Sequence, residues 1–194
     1  KIHLADNIAD ALISAGEAIE IPKSEALRVL CPGGKAVIGR NKYIKPFPEG
    51  IDDWSHPYHG PDNNPQSNDK IARAPYLTQF LAYPHYAPLP QTTVTSAGRI
   101  FRALGHIAFK SREASYANTL MAYNGYNGTI LWSAEIPDLG RFNIPRDSSN
   151  WCADRDSVFV AVKNRCLRFD ARSGNLIGQY ALRQEDPQAR PEEW

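Results

Sequence analysis

A chain of 194 residues with 42% hydrophobic content can bury the core of one or two domains. Its 22 basic and 21 acidic side chains leave a net charge of +1, and neither sign gathers into a long run; nucleic acid is therefore not an expected partner. No apolar stretch approaches the ~20 residues that span a bilayer, and three cysteines, Cys31, Cys152 and Cys166, do not describe a disulfide framework.

The opening Lys1-Ile2-His3-Leu4-Ala5-Asp6 has no initiator Met and no apolar signal-peptide core. It reads as the interior of a longer chain, or as a mature or trimmed product. From Ala5 to Ala15, Ile8, Ala11, Leu12 and Ala15 fall at helical spacing. A second short helix is predicted after Ile21-Pro22-Lys23, capped by Ser24 and bearing Leu27 and Leu30 on one face. Cys31-Pro32-Gly33-Gly34 stops it, because Pro disfavours helix before it and Gly accepts positive φ. Lys35-Ala36-Val37-Ile38-Gly39 then reads as a short buried strand. Lys42, Tyr43 and Lys45 near Arg40 make a small basic patch, read as solvated surface.

This helix–PGG–strand passage, over residues 1–45, resembles the late part of a class I S-adenosylmethionine-dependent methyltransferase domain. The family's glycine-rich loop at the first strand is absent, as is the acidic residue after the second. The resemblance therefore implies the trailing part of such a domain, with no complete cofactor pocket of its own.

Residues 46–95 form a proline-rich lead-in. Nine prolines from Pro46 to Pro90 make long central strands unexpected there. Trp54, Tyr58, Tyr76, Phe80, Tyr83 and Tyr86 are too many aromatics for a disordered linker. Order is expected, with an early strand at Tyr76–Phe80.

From residue 96 the pattern becomes short strands and tight turns. Strands are predicted at Ala97–Gly105, Thr119–Asn124, Thr129–Ser133, Ser157–Val162, Cys166–Asp170 and Asn175–Tyr180. Asn127-Gly128 and Ser173-Gly174 mark hairpin turns. Asn124 and Asp170 stand 46 residues apart, as do Gly128 and Gly174. Two units at that period argue for β-propeller blades over residues 96–182. A polar tail, 183–194, follows.

Asn124-Gly125-Tyr126-Asn127-Gly128-Thr129-Ile130-Leu131-Trp132 resembles the repeat of pyrroloquinoline-quinone (PQQ)-type propellers, which carries an Asp, a Thr-Gly turn and a Trp four residues later. Asp170-Ala171-Arg172-Ser173-Gly174 is similar to its first half. Gly178 stands where the second Trp would be, and Asn124 replaces the usual Asp. Physically, the Asx side chain satisfies turn amides, Gly128 and Gly174 supply the turn conformation, and Trp132 docks between blades as an apolar plug with one N–H to satisfy. Asp53-Trp54-Ser55-His56-Pro57-Tyr58-His59-Gly60-Pro61-Asp62-Asn63-Asn64 is similar to the lead-in before the first blade of such proteins. The order of the three parts resembles large fusion proteins of planctomycete-type bacteria.

The fold expected is thus mainly β: antiparallel blades of a partial propeller, with a short α/β segment at the N-terminus. His56 and His59, flanked by Asp52, Asp53 and Asp62, are the candidate metal ligands. Pro57 stiffens their turn, and a third ligand would have to come from a distant residue such as His85 or His106; no stoichiometric metal is expected. The quinoprotein resemblance implies PQQ with calcium, an Asp base and, in many members, adjacent cysteines. No Cys-Cys occurs here, and Asp154, Asp156 and Asp170 read as turn residues. Cys152 and Cys166 remain open to pairing or to standing as isolated thiols. No Gly-x-Ser-x-Gly, Walker or H-E-x-x-H motif is present.

Three functions follow: a binding or scaffold module of a larger protein or assembly; a fragment of a PQQ-dependent dehydrogenase-like enzyme or methyltransferase fusion; or a metal-binding module on His56 and His59. The partners expected are other blades of the same polypeptide or other protein chains. The family resemblance implies an extracytoplasmic, periplasmic setting.

Overall fold

The computed structural model describes residues 1–14, 21–74, 80–85, 90–104, 110–137, 139 and 150–181. Three sheets result. Strands β1 (Ala9–Ser14), β2 (Leu30–Ile38) and β3 (Asn41–Ile44) form the first, in that order. Strands β4 (Pro90–Ser96), β5 (Arg99–Leu104), β6 (Thr119–Asn124) and β7 (Ile130–Glu135) form the second in sequence order. Strands β8 (Trp151–Ala153), β9 (Ser157–Val162), β10 (Arg165–Asp170) and β11 (Leu176–Ala181) form the third, also in sequence order. Each four-stranded sheet is antiparallel throughout.

The two four-stranded sheets stack face to face. Val94, Phe101, Ala122 and Trp132 are cross-strand partners, one from each strand, and make a single apolar row. That row shares one core with Trp151, Val160 and Leu167, and with Ala153, Val158 and Phe169, the matching rows of the other sheet. Strand period 2 sends Ile100 and Leu104 to the opposite face of the second sheet, where they join Met121, Tyr123, Ala82 and Tyr116. β4 and β8 approach one another at the inner edge. Sequential four-stranded antiparallel sheets, stacked on one core with their first strands together, are propeller blades. The chain is mainly β, and these two sheets are the blades of a partial propeller.

The N-terminal sheet departs from the sequence reading in several places. Residues 9–14 form a strand, not a helix. β1 lies parallel to β2, and its backbone ladder outweighs the weak helical spacing of small side chains. The helix between them, α1 (Lys23–Val29), has Pro22 rather than Ser24 at its cap, with no side-chain cap bond; the Pro22 carbonyl takes the Glu25 and Ala26 amides. Cys31–Gly34 does not separate helix from strand but belongs to β2. It is accommodated as a bulge, since Ala9 pairs with Leu30 and Ala11 with Lys35.

Lys45 is not solvated surface. Its Nζ donates to Asn7 Oδ1 (2.5 Å), Leu30 O (2.8 Å) and Arg28 O (3.3 Å), placing a cation at the C-terminal end of α1.

Two further differences concern the blades. Ala97-Gly98 is a turn with positive φ at both residues, so β5 begins at Arg99. The proline-rich stretch ends in a full strand, β4, which the sheet tolerates because Pro90 is its first residue and β4 lies at an edge. Gly105, Tyr76–Gln79, His106 and the tail 183–194 lie outside the described residues.

Candidate functional site

Three short segments converge on the blades, and each is fixed by side chains. The first is the lead-in loop. Trp54 O accepts the Thr95 amide (2.7 Å) and Ser55 O accepts the Ala153 amide (2.9 Å), so Trp54-Ser55 runs between the inner strands of both blades. Asp53 closes the β4–β5 turn: its Oδ1 takes the Ala97 amide (2.9 Å) and its Oδ2 the Ser96 hydroxyl (3.2 Å).

His56 and His59 pair their backbones around Pro57-Tyr58, at 3.2 and 3.1 Å. Their rings take different partners. His59 Nε2 lies 2.8 Å from Asp52 Oδ2, with its ring edge-on to Trp54 at 5.1 Å. His56 Nδ1 lies 2.9 Å from Ser55 Oγ. Asp52 also accepts from the Asn68 amide (2.6 Å) and the Ser67 hydroxyl (3.2 Å). Desolvation opposes ionisation of Asp52, but the Asn68 amide, His59 and Ser67 together hold its pKa below the usual carboxylate value. Asp62 serves a turn, its Oδ1 at 3.4 Å from the Asn64 amide. His85 is exposed beside Tyr83. Among the described residues no group of three or more His, Cys, Asp or Glu side chains is placed to hold a metal ion.

The second segment is the β10–β11 turn. Asp170 Oδ1 accepts from the Arg172 amide (3.0 Å), the Ser173 amide (2.8 Å) and the Ser173 hydroxyl (2.9 Å). Gly174 has φ +71°, and a Cβ there would stand 2.6 Å from the Trp132 indole. Trp132, 8% exposed, donates Nε1–H to the Ala171 carbonyl at 3.1 Å. The plug from one blade thus fills the space above the glycine turn of the next. Asp154 works likewise in the β8–β9 turn, accepting the Asp156 and Ser157 amides at 2.8 and 2.7 Å.

The third is the β6–β7 turn, built to the same plan. Asn124 Oδ1 accepts the Tyr126 amide (2.9 Å), and Gly128 has φ +73°. Its occupant is Phe80, whose ring would stand 2.5 Å from a Cβ on Gly128. Asn124 then does what an Asp cannot: its amide donates to Asp10 Oδ1 at 2.6 Å. Asn127 and Thr129 add bonds to Asp10 Oδ2 at 3.0 and 3.3 Å, and Asn127 also reaches the Ile8 carbonyl at 3.0 Å. The edge strand β1 is docked on this turn. Neither Phe80 nor Asp10 stands out in the sequence; the signal for Asp10 was the amide at position 124, where a carboxylate is usual.

Cys152 and Cys166 are free thiols on β8 and β10, with β9 between them; the alternative of a disulfide is not realised. Cys31 is buried and its Sγ lies 3.0 Å from the Asn7 carbonyl. Burial raises the pKa of all three thiols. Among the described residues no helix is long and apolar enough to cross a membrane.

No family model matches the chain, and no curated protein matches it. Among solved structures it is similar to the quinohemoprotein alcohol dehydrogenase ADHIIG from Pseudomonas putida HK5, at 14% identity and TM-score 0.40, over 70% of this chain and 19% of that one. It is also similar to a europium-containing methanol dehydrogenase, at 16% identity and TM-score 0.33, over 46% of this chain and 14% of that one. A third is BamB from Moraxella catarrhalis, at 15% identity and TM-score 0.32, over 47% of this chain and 25% of that one. The chain spans between 14% and 25% of the length of these proteins. The blade architecture stands on the sheets and their packing.

Proposed function

We propose that the chain is a binding or scaffold module of propeller blades that works within a longer polypeptide or an assembly of chains. The observation that carries this is the interlock of Trp132 over Gly174, a device for stacking one blade on the next. The second blade has Gly178 where that plug would recur. Its far face holds Cys152, Phe159, Ala161, Cys166 and Arg168, all half-buried, with Arg168 stacked over Phe159. A further blade or another protein chain is the partner this face suits. By family resemblance, the reading extends to a planctomycete-type quinoprotein-like protein in the periplasm, with residues 1–45 as the trailing part of a methyltransferase-like domain. The parallel β1–α1–β2 crossover suits that last assignment.

The enzyme readings fit the residues less well. The quinoprotein resemblance implies a calcium site of Glu and Asn, an Asp base and, in many members, adjacent cysteines, whereas Cys152 and Cys166 lie on separate strands. S-adenosylmethionine asks for an open glycine cradle. A Cβ on Gly34 would stand 2.8 Å from the Cys31 carbonyl oxygen and 3.1 Å from that of Asp10, so this glycine admits neighbouring backbone rather than a cofactor. Calorimetric titration of the 194-residue chain with S-adenosylmethionine, and with PQQ plus calcium, tests the reading. No saturable heat is expected. Binding of either at 1:1 and about micromolar affinity would replace the module with an enzyme.

A further inference from the structure

A cavity of about 420 Å³ opens where the N-terminal sheet meets the turns of both blades, a size that suits a small molecule. Its charged lining is one-sided. β1 and β2 contribute Asp10 and Lys35, β5 contributes Arg99, and the β8–β9 and β10–β11 turns contribute Arg155 and Arg172. The single carboxylate among these is already engaged by Asn124, Asn127 and Thr129. Among the described residues, no carboxylate forms a salt bridge with any of the four cations.

Arg99 is the least solvated of them, half-buried where the other three are exposed. Its guanidinium donates to the Arg155 carbonyl, and its Nε is buried with no hydrogen-bond partner. The guanidinium also lies 5.9 Å over the Phe101 ring, and an orphaned donor on a half-buried cation leaves Arg99 short of acceptors. Burial, and then the Arg172 charge, lower the Arg99 pKa, while Asp156, Asp170 and Asp53 act the other way. A concave wall with four cations to one carboxylate focuses positive potential and draws in an anion. Pro32, Ile44, Phe47 and Leu131 give the lining an apolar part, beside the polar Asn124.

We propose that this cavity binds a small oxyanion, a carboxylate or a phosphate, carried on an apolar or aromatic body. Arg99 and Arg172 hold the oxygens, as planar guanidinium forks do, and the body rests against Phe47. The site stands on the cavity and its charges, and does not depend on what the blades assemble with.

Titration of the full chain at low ionic strength, where surface charge is little screened, tests this with three probes: phenyl phosphate, benzoate and neutral benzyl alcohol. Saturable 1:1 binding is expected for at least one anion at about millimolar Kd or tighter; which one binds separates phosphate from carboxylate. Arg172→Gln, at an exposed position and expected to leave the melting temperature unchanged, should weaken that binding about tenfold. Failure of both anions to saturate by about 10 mM would overturn the proposal. So would equal binding of benzyl alcohol, a stoichiometry above one, or wild-type affinity in both Arg172→Gln and Arg155→Gln.

Discussion

The β6–β7 and β10–β11 turns share one backbone plan and differ in what sits on them. Both open with an Asx side chain that accepts from the turn backbone, one amide at Asn124 and two at Asp170, and both end in a glycine at positive φ under an aromatic ring. On the second turn the ring is Trp132, delivered by the neighbouring blade, and the Asx is a carboxylate satisfied within its own turn. On the first the ring is Phe80, from the lead-in, and the Asx is an amide that reaches outward to Asp10. The difference teaches that the glycine fixes the shape of the socket while the Asx residue records what docks beside it. An Asp at 124 would face the Asp10 carboxylate; an Asn can donate to it.

The sharpest way to break the comparison is to empty each socket. Trp132 sits in the shared core and makes a buried hydrogen bond, so Trp132→Ala should cost about 3–5 kcal/mol. Phe80 is half-buried, so Phe80→Ala should cost less, about 1–3 kcal/mol. Urea melts followed by circular dichroism decide this. A Trp132→Ala loss below about 1 kcal/mol, or a larger loss at Phe80, would mean the blade interlock is not what holds the sheets together.

The strands β6, β7, β9, β10 and β11 were legible in the sequence because Asn127-Gly128 and Ser173-Gly174 punctuate alternating apolar runs. Trp132 was legible because its spacing from Gly128 is local. What sequence concealed was pairing at long range. β4 reads as one more proline-rich stretch until β5 pairs with it. β1 has no strand alternation of its own and becomes a strand only beside β2. Phe80 reaches Gly128 across 48 residues, with no spacing rule to announce it. The cavity was invisible for the same reason: its cations come from strands and turns of all three sheets, and none is unusual until they stand together.

A double-mutant cycle sharpens the Asx part of the comparison. Asn124→Asp should destabilise by about 1 kcal/mol, since a bond to a charged acceptor is lost and two carboxylates come to face each other, both partly screened by solvent. Asp10→Asn in the same chain should restore much of that loss, because the donor is then returned from the other side. Additive effects of the two substitutions in thermal melts would show that β1 is not held through Asn124.

The smallest effect separates the two turns by pH. The Ser173 amide, then the Ser173 hydroxyl and the Arg172 amide, bond the Asp170 carboxylate and lower its pKa. A carboxylate with a folded pKa below its unfolded value, ~3.9, stabilises the fold fully above that value. The contribution is lost as pH falls from that value through the folded pKa, because over that span the unfolded state holds a proton that the folded carboxylate does not. Asn124, in the corresponding place, has no such proton to take up. Urea midpoints of the wild type and Asp170→Asn should therefore differ by a constant amount from about pH 7 to pH 5 and converge below about pH 4. The Glu25 carboxylate, held at about 2 by Arg28 and the Ile2 amide, titrates in both proteins and cancels from the difference. A gap that stays unchanged from about pH 7 to pH 3 would show that Asp170 holds its turn by shape, as Asn124 does, and not by charge.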